Sequence, residues 1–495
     1  MANNEHEFNL REIARETLLR FGFLVEVPRP ALSQLDRLGE PDYSRLAIKD
    51  LTGWLWSSID NDDSRDLDQI EYLEQDSRGT HLYVAIADLH SFVERDSPLD
   101  QAAEHNTTSI YTGVRTFPMF PDKLSTNLTS LVDGGKRLAV VIEMLIASDG
   151  SLAESSVYRA VVRNQAQLTY NAVAAWLDNQ PEDGTPATKR TLAKIRSSAA
   201  LQEQLRRQHQ LSEALRARRL EAGALTFETI EMRPEPSDGG WELKAAKHNS
   251  ATHLIEDFMI SANQATVAFL QSKGFPSLRR VVRTPKNWPQ IVALAAQHGF
   301  RLSAEPDAKN LEEFLQSERK KDIERFPDLS LAIIKLLGRG EYTVATPGGE
   351  APGHFALAIE GYTHSTAPNR RYPDVITQRL LMAAFASGKP PYSSPDLTEL
   401  AQHCTDKEND ANKAERSVHK SVAAAVLARR IGERFDGMIT GAADKGTWVR
   451  IVHPPVEGRL GGAVRGLAVG DKVIVKLVST DPWRGYIDFD LIARR

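Results

Sequence analysis

The sequence predicts a multidomain α+β chain, with a large mixed α/β domain between a short helical N-terminal region and a small C-terminal β-barrel. Three observations carry this. Helix-period and strand-like apolar patterns mix through most of the chain. From about residue 435 they give way to short β segments split by Gly and Asp. A chain of 495 residues is also too long for one compact core, at roughly 150 residues per domain. The expected division is a helical region at 1–45, the α/β domain at 46–390, a helical connector packing on it at 391–434, and the barrel at 435–495.

FNLREIARETLLR carries apolar residues at helical spacing (Leu10, Ile13, Leu18, Leu19), and the proline-rich PRPALSQLDRLGEPD supplies a second short helix. Together they suggest a helix-turn-helix-like start. TGWLWSSI, THLYVAIADLHSFV and LAVVIEMLIAS read as strands, the last closed by the turn pair Asp149-Gly150. One long charged helix is expected over 187–222, and an amphipathic helix in HLIEDFMISANQATVAFLQSKGF ends at Gly274. NWPQIVALAAQHGF is another helix, HFALAIEGY at 354–362 alternates like a strand, and 375–385 and 400–434 are helical. GMITGAADKGTWVRIVHP, VEGRLGGAV, VGDKVIVKLVST and RGYIDFDLIA together fit one small antiparallel barrel.

Composition narrows the class. With 41% hydrophobic and 26% charged residues the chain is an ordinary globular one. No apolar run approaches the ~20 residues of a membrane helix. The polar start MANNEHEFNLREIARE lacks the apolar stretch of a secretory signal. Cys404 is the sole cysteine, which excludes an internal disulfide partner and a cysteine-rich zinc site. These features place the expected protein in the cytoplasm, away from membranes. The net charge of −5 implies that any basic footprint for nucleic acid is local.

SSIDNDDSRDLDQIE is the most informative stretch. Asp60, Asp62, Asp63, Asp66 and Asp68 crowd five carboxylates around a single Arg65. Like charges this close destabilise one another unless a cation or solvent intervenes. Asp66 and Asp68, two apart, point the same way in extended chain, and Asp60 can fold back over the polar turn. Hard oxygen donors of this kind suit Mg²⁺, Mn²⁺ or Ca²⁺. Three readings stand at this point. One is a solvated acidic turn. Another is a calcium loop, since the spacing from Asp60 to Glu71 copies the EF-hand oxygens, although Arg65 occupies the turn position that wants Gly. The third is a catalytic magnesium site.

The same stretch resembles the signature of the RNase II family, whose catalytic unit is the RNB domain: an Ile-Asp followed at +6 and +8 by Asp. The resemblance continues in order through VAIADLHSFVERDSPLDQAA, TTSIYTGVRTFPMFPDKLSTNLTSL, HLIEDFMISANQA and YTHSTAPNRRYPDVITQRLL, over about 340 residues. The tail after 435 is similar to the family's RNA-binding OB-fold barrel. The resemblance implies an RNB-type catalytic domain and a processive hydrolytic 3′–5′ exoribonuclease that converts single-stranded RNA to nucleoside 5′-monophosphates. It implies Mg²⁺, with Mn²⁺ as a substitute, held by Asp60, Asp66 and Asp68. Asp66, Asp68 and Arg370 are then catalytic, with Arg370 gripping the phosphate at the scissile bond. Tyr111, Tyr170 and Phe227 match aromatics that grip the strand, and Glu256 matches a carboxylate at the terminal nucleotide. Glu415 in KAERSV is a looser match to an acid near the arginine. Trp448 and Arg450 are candidate contacts on the barrel. The expected assembly is a monomer.

Two departures bear on this. Gln69 stands where the family usually has a second Asp; Gln offers a neutral oxygen but no charge, unless a spare carboxylate such as Asp63 substitutes. The family also commonly carries two cold-shock domains before the catalytic domain, whereas about 45 helical residues precede the match here. The rival functions are a catalytically weakened RNB-domain protein acting as an RNA-binding factor, supported by Gln69, and a calcium-binding structural protein.

Overall fold

A computed structural model describes residues 9–181, 184–229, 231–237, 240–246, 248–323, 325–443, 446–462, 466–468 and 470–495. The polar terminus 1–8 and part of the VEGRLGGAV segment lie outside the described residues.

The α/β domain is built on one sheet. Its strands run in the order Lys49–Asp50, Leu152–Thr169, Trp56–Asp60, Gln69–Asp76, Gly79–Ala87 and Lys136–Ile146. The 18-residue strand Leu152–Thr169 is long enough to serve both flanks. Its first two thirds pair antiparallel with Lys136–Ile146, and its end pairs parallel with Trp56–Asp60, from Trp56↔Asn164 to Asp60↔Thr169. Asn164 marks the handover. Its side-chain amide donates to Ser58 Oγ and to the Leu131 carbonyl, both at 2.9 Å, and so replaces ladder bonds with side-chain bonds. This arrangement brings Asp60 to the edge of a turn.

The strands bury their apolar residues against two helices, Ala199–Glu221 and Ser250–Ser272. Ile59, Leu67, Ile70, Val84 and Ile142 share one core with Leu201, Leu205, Leu254 and Phe258. The helix Ser250–Ser272 starts on a capping box between Asn249 and Thr252, a device worth about 1 kcal/mol. A second aromatic patch, Trp54, Trp56, Tyr72 and Tyr83, stacks with centroids 4.7–6.0 Å apart.

The barrel is closed, in the order Arg434–Ala443, Gly446–Ile451, Glu457–Leu460, Tyr486–Arg494, Lys472–Asp481. Alternation places Val473, Val475 and Leu477 inside with Phe435, Ile439 and Phe489. One pair, Glu457–Leu460 with Tyr486–Arg494, is parallel, so the barrel is not wholly antiparallel. The end of the 34-residue helix Ser394–Leu427 plugs one side through Ala423, Ala424 and Leu427.

Several expectations need correction. The helix expected over 187–222 is two, Pro186–Ser197 and Ala199–Glu221, broken at Ser198, whose extended backbone lets its side chain cap the second helix. HFALAIEGY is not a strand: Phe355–Leu357 is a 3-10 turn, and His354 folds back to bridge Ile359. The connector helix ends earlier than expected, at Leu427, and Arg434 already begins the barrel. At the N-terminus, Leu10–Arg20 and Arg29–Asp36 are separated by eight residues and face different cores. The first packs with Ala414 and Val418 of the long helix, while Ala31 and Leu35 of the second join the main core. A helix-turn-helix needs its helices joined by a turn of about 3–4 residues.

Candidate active site

Both acidic strand ends meet at one place. Asp60 is the last residue of Trp56–Asp60, and Asp68 immediately precedes Gln69–Asp76. The turn between them is held by fully buried Leu67, whose N–H donates to Ser130 Oγ (2.9 Å) and whose carbonyl accepts from Leu131 N (3.0 Å). With Leu67 pinned, Asp66 and Asp68 flank it as fixed neighbours. Strands on both flanks exclude the EF-hand reading, which needs a helix after the loop. Asp62 is also spoken for: it accepts from Thr185 Oγ1 (2.5 Å) and Thr188 Oγ1 (3.1 Å) at the start of the helix Pro186–Ser197. Asp63 is exposed.

The arginine arrives from far along the chain. Asn369 N donates to Asp68 Oδ1 at 2.8 Å, and Arg370 Nε to Asp68 Oδ2 at 3.2 Å. This segment is tied down on every side. Ser365 donates to Asn263 Oδ1, Ala367 N to Asp374 Oδ1, and Arg371 forms a fork with Asp374. Its backbone also meets the tyrosine segment, with Ser109 N donating to the Arg370 carbonyl at 3.0 Å and Tyr372 N to Thr107 O at 2.8 Å. Tyr111 therefore stands over the same site. Its N–H donates to Glu415 Oε1 (2.7 Å), its hydroxyl reaches Asp66 Oδ2 at 3.4 Å, and 42% of it is exposed. The tight turn after it uses Gly113 at φ +78°, where a Cβ would lie 2.5 Å from Pro234.

Burial dominates the electrostatics. It pushes Asp60 up to about 8, helped by Asp68 and Asp66 and opposed by Arg370. Burial likewise lifts Asp68 to about 7 against Arg370 and the Asn369 N–H, and raises Asp66. Tyr170 begins the helix Tyr170–Leu177; its hydroxyl is pushed up by burial and then by Asp60 and Glu71.

Sequence reasoning passed over Glu71 except as a calcium-loop position. It is fully buried in mid-strand, opposite Ser57 and Val84, and both carboxylate oxygens lack a hydrogen-bond partner. Burial, then Asp60, holds it well above the ordinary carboxylate range. Strand alternation offered a signal, because Glu71 falls in phase with buried Leu73.

The structure thus gathers Asp60, Asp66, Asp68, Arg370, Tyr111 and Tyr170. Phe227 and Glu256 sit in other surroundings. Phe227 packs on the separate helical core of Trp288, Ile291 and Phe314. Burial pushes Glu256 up, but His253, Arg219 and Arg216 around it hold its carboxyl below the usual value. Arg450 is committed to Asp328 at 2.6 Å, a clamp between barrel and body, and Trp448 is half-buried over Gly441. The exposed aromatics of the barrel are instead Trp483 and Tyr486.

The donor chemistry at the acidic turn fits a hard divalent cation. The donors are all carboxylate oxygens, and Asp60 Oδ2 is buried without a partner. As folded, however, no group of three His, Cys, Asp or Glu side chains among the described residues is gathered closely enough to hold a metal. Arg370 takes the place of counter-charge at Asp68.

The model of the RNB domain matches residues 48–387, more than half of the chain. The chain belongs to the RNB-domain family. Beyond its RNB domain, residues 433–492 match the RNase II-type exonuclease C-terminal S1 domain. Ribonuclease R 1 of Lactococcus lactis subsp. lactis (strain IL1403) is 28% identical over 513 residues, which cover 96% of this chain and 60% of that relative. Ribonuclease R of Escherichia coli (strain K12) is 28% identical over 499 residues, covering 92% and 58%. The chain thus spans about three fifths of the length of these relatives. Among solved structures, the apo form of Mycoplasma genitalium RNase R superposes with a TM-score of 0.86 at 22% identity, covering 99% of this chain and 79% of its own. Yeast Ssd1, a pseudonuclease, superposes at 0.69 with 14% identity, covering 95% and 58%. At these identities the likeness is one of fold.

Proposed function

We propose that this chain is a hydrolytic 3′–5′ exoribonuclease that degrades single-stranded RNA processively to nucleoside 5′-monophosphates. The observation that carries the reading is the convergence of Asp60, Asp66 and Asp68 with Arg370 and Tyr111 inside an RNB domain. Asp60, Asp66 and Asp68 would hold Mg²⁺ or Mn²⁺, which supplies positive charge where a phosphodiester gains negative charge and activates water as a nucleophile. Arg370, on a segment fixed by Asp374 and Asn263, sits beside Asp68 ready to take up phosphate oxygens. Tyr111 presents an exposed ring over Asp66, suited to stacking on a base of any identity. Tyr170 is assigned to RNA beside the acidic turn, and Phe227 and Glu256, which lie in other surroundings, to RNA away from it. The reading includes a monomer working in the cytoplasm; no helix among the described residues is long and apolar enough to cross a membrane.

A weakened RNA-binding role draws on Gln69, which removes one formal charge from the site. Against it, the three aspartates and the arginine are all present and mutually placed. The deciding experiment incubates pure protein with a 5′-labelled ribo-oligomer and Mg²⁺ or Mn²⁺. Stepwise shortening with release of 5′-mononucleotides, blocked by chelator, is the expected result. Intact oligomer under both metals removes the nuclease reading and leaves RNA binding.

A further inference from the structure

At the far end of the helix Ser250–Ser272 from Glu256 lies a shallow, widely open cavity of about 690 Å³. Thirteen residues of helix, about 20 Å, separate Glu256 from Phe269 on its wall. The cavity opens where the edge strand Lys49–Asp50 joins Leu152–Thr169 and where the helix Tyr372–Phe385 ends. Its charged lining residues are Lys49, Arg159 and Lys273, with no carboxylate among them.

The three cations are not equivalent. Arg159 is committed to buried Asp88, at 2.7 and 3.0 Å. Lys49 and Lys273 are both exposed, and neither makes a hydrogen bond or ion pair with an acid among the described residues. Each lies against an aromatic ring instead: Lys49 Nζ is 3.5 Å from the Tyr158 centroid, and Lys273 Nζ is 5.6 Å from that of Phe269. A ring face attracts an ammonium but leaves its charge in place. Lys273 also follows a helix C-terminus, where a cation complements the helix dipole, but that accounts for nothing at Lys49, which lies on a strand. Phe269 and Phe385, with centroids 5.6 Å apart, add an apolar aromatic wall. Cations free to pair with an anion, beside rings that can stack, are the complement of a phosphate joined to a flat base.

We propose that this cavity is a second nucleotide site, in which Lys49 and Lys273 bind the phosphate and the Phe269–Phe385 wall packs on the base. The ligand is a nucleoside monophosphate, either free or as one unit of an RNA strand. The proposal stands apart from the nuclease reading, since a chain that hydrolyses nothing can still bind here.

The test is calorimetric titration of the full chain with adenosine 5′-monophosphate, adenosine and inorganic phosphate. Wild type, Asp68→Asn and the double variant Lys49→Glu/Lys273→Glu are compared. Wild type should bind the monophosphate and the double variant about tenfold or more weakly, with circular dichroism confirming its fold, whereas Asp68→Asn, which alters only the acidic turn, should keep the binding component that the lysine variant loses. Adenosine and phosphate alone should each bind more weakly than the monophosphate. Absence of binding to wild type, or equal binding by the lysine variant, overturns the proposal. Binding lost in Asp68→Asn but kept in the lysine variant also overturns it, by moving the nucleotide to the acidic turn. A single-stranded ribo-oligomer then identifies the source. If the lysine variant weakens oligomer binding in parallel, the occupant is the strand; if oligomer binding is unchanged, it is the free nucleotide.

Discussion

Two sets of buried carboxylates in the same domain are treated in opposite ways. Asp100 is 1% exposed and fully satisfied: Arg379 Nη2 donates to it at 2.7 Å, Tyr372 Oη at 2.9 Å, and Asp96 N to its other oxygen at 2.8 Å. Arg379 is itself 2% exposed and spends its remaining Nη hydrogens on Tyr392, Tyr372 and the Val93 carbonyl. At the acidic turn, Asp60 keeps a buried oxygen without a partner and Glu71 keeps two. A buried polar group normally finds a partner, because leaving it bare costs about 1–3 kcal/mol, and more when charged. The first arrangement is therefore structural, binding the helix Pro98–Asn106 to the helix Tyr372–Phe385. The second leaves buried acceptor oxygens open, as expected of a place where a cation and a phosphate are received.

The largest effect that would separate them is on turnover. Asp68→Asn keeps the shape and the Asn369 N–H contact but removes the charge facing Arg370. Mononucleotide release should fall by roughly a thousandfold while the thermal midpoint stays near that of wild type. Near-normal turnover would remove Asp68 from the chemistry. At the satisfied site the outcome should invert. Arg379→Met strands Asp100 in the core and should cost about 3–5 kcal/mol in urea unfolding, with activity per folded molecule retained. A loss of turnover at unchanged stability would show that the two sites are not separable in this way.

The contrast also explains what was legible in the sequence. The aspartates at 60, 66 and 68 lie within one turn, so spacing alone could group them. Arg370 has no local signal; only the similarity of motif order pointed to it, and its position depends on contacts such as Asp374 to Ala367 and Asn263 to Ser365. Arg450 looked like a free cation for RNA because Asp328, its partner at 2.6 Å, lies 122 residues away. HFALAIEGY alternates like a strand, but alternation records only two faces. Among the described residues only a single bridge, His354 to Val282, joins it to the neighbouring strand, and the chain closes on itself through His354 and Ile359. Ser198 divided the charged helix because a serine that caps the next helix satisfies the backbone better than continuation does.

Glu71 supplies the smallest and most discriminating test. Its side chain sits between Ser57 and Val84, with nothing donating to it. If the protein chain alone accounts for its surroundings, Glu71→Met replaces a bare buried acid with an apolar side chain of similar length. Measured in chelator, folding stability should then rise by about 1–2 kcal/mol, read as a higher urea midpoint at unchanged slope. A fall in stability would mean that Glu71 has a donor in solution, and the contrast with Asp100 would narrow to Asp60 alone. Repeating the measurement with Mn²⁺ sharpens the result. A stabilising increment from the metal that is equal in wild type and variant assigns cation capture to the aspartates at 60, 66 and 68; an increment lost with Glu71 extends the metal's reach into the strand behind them.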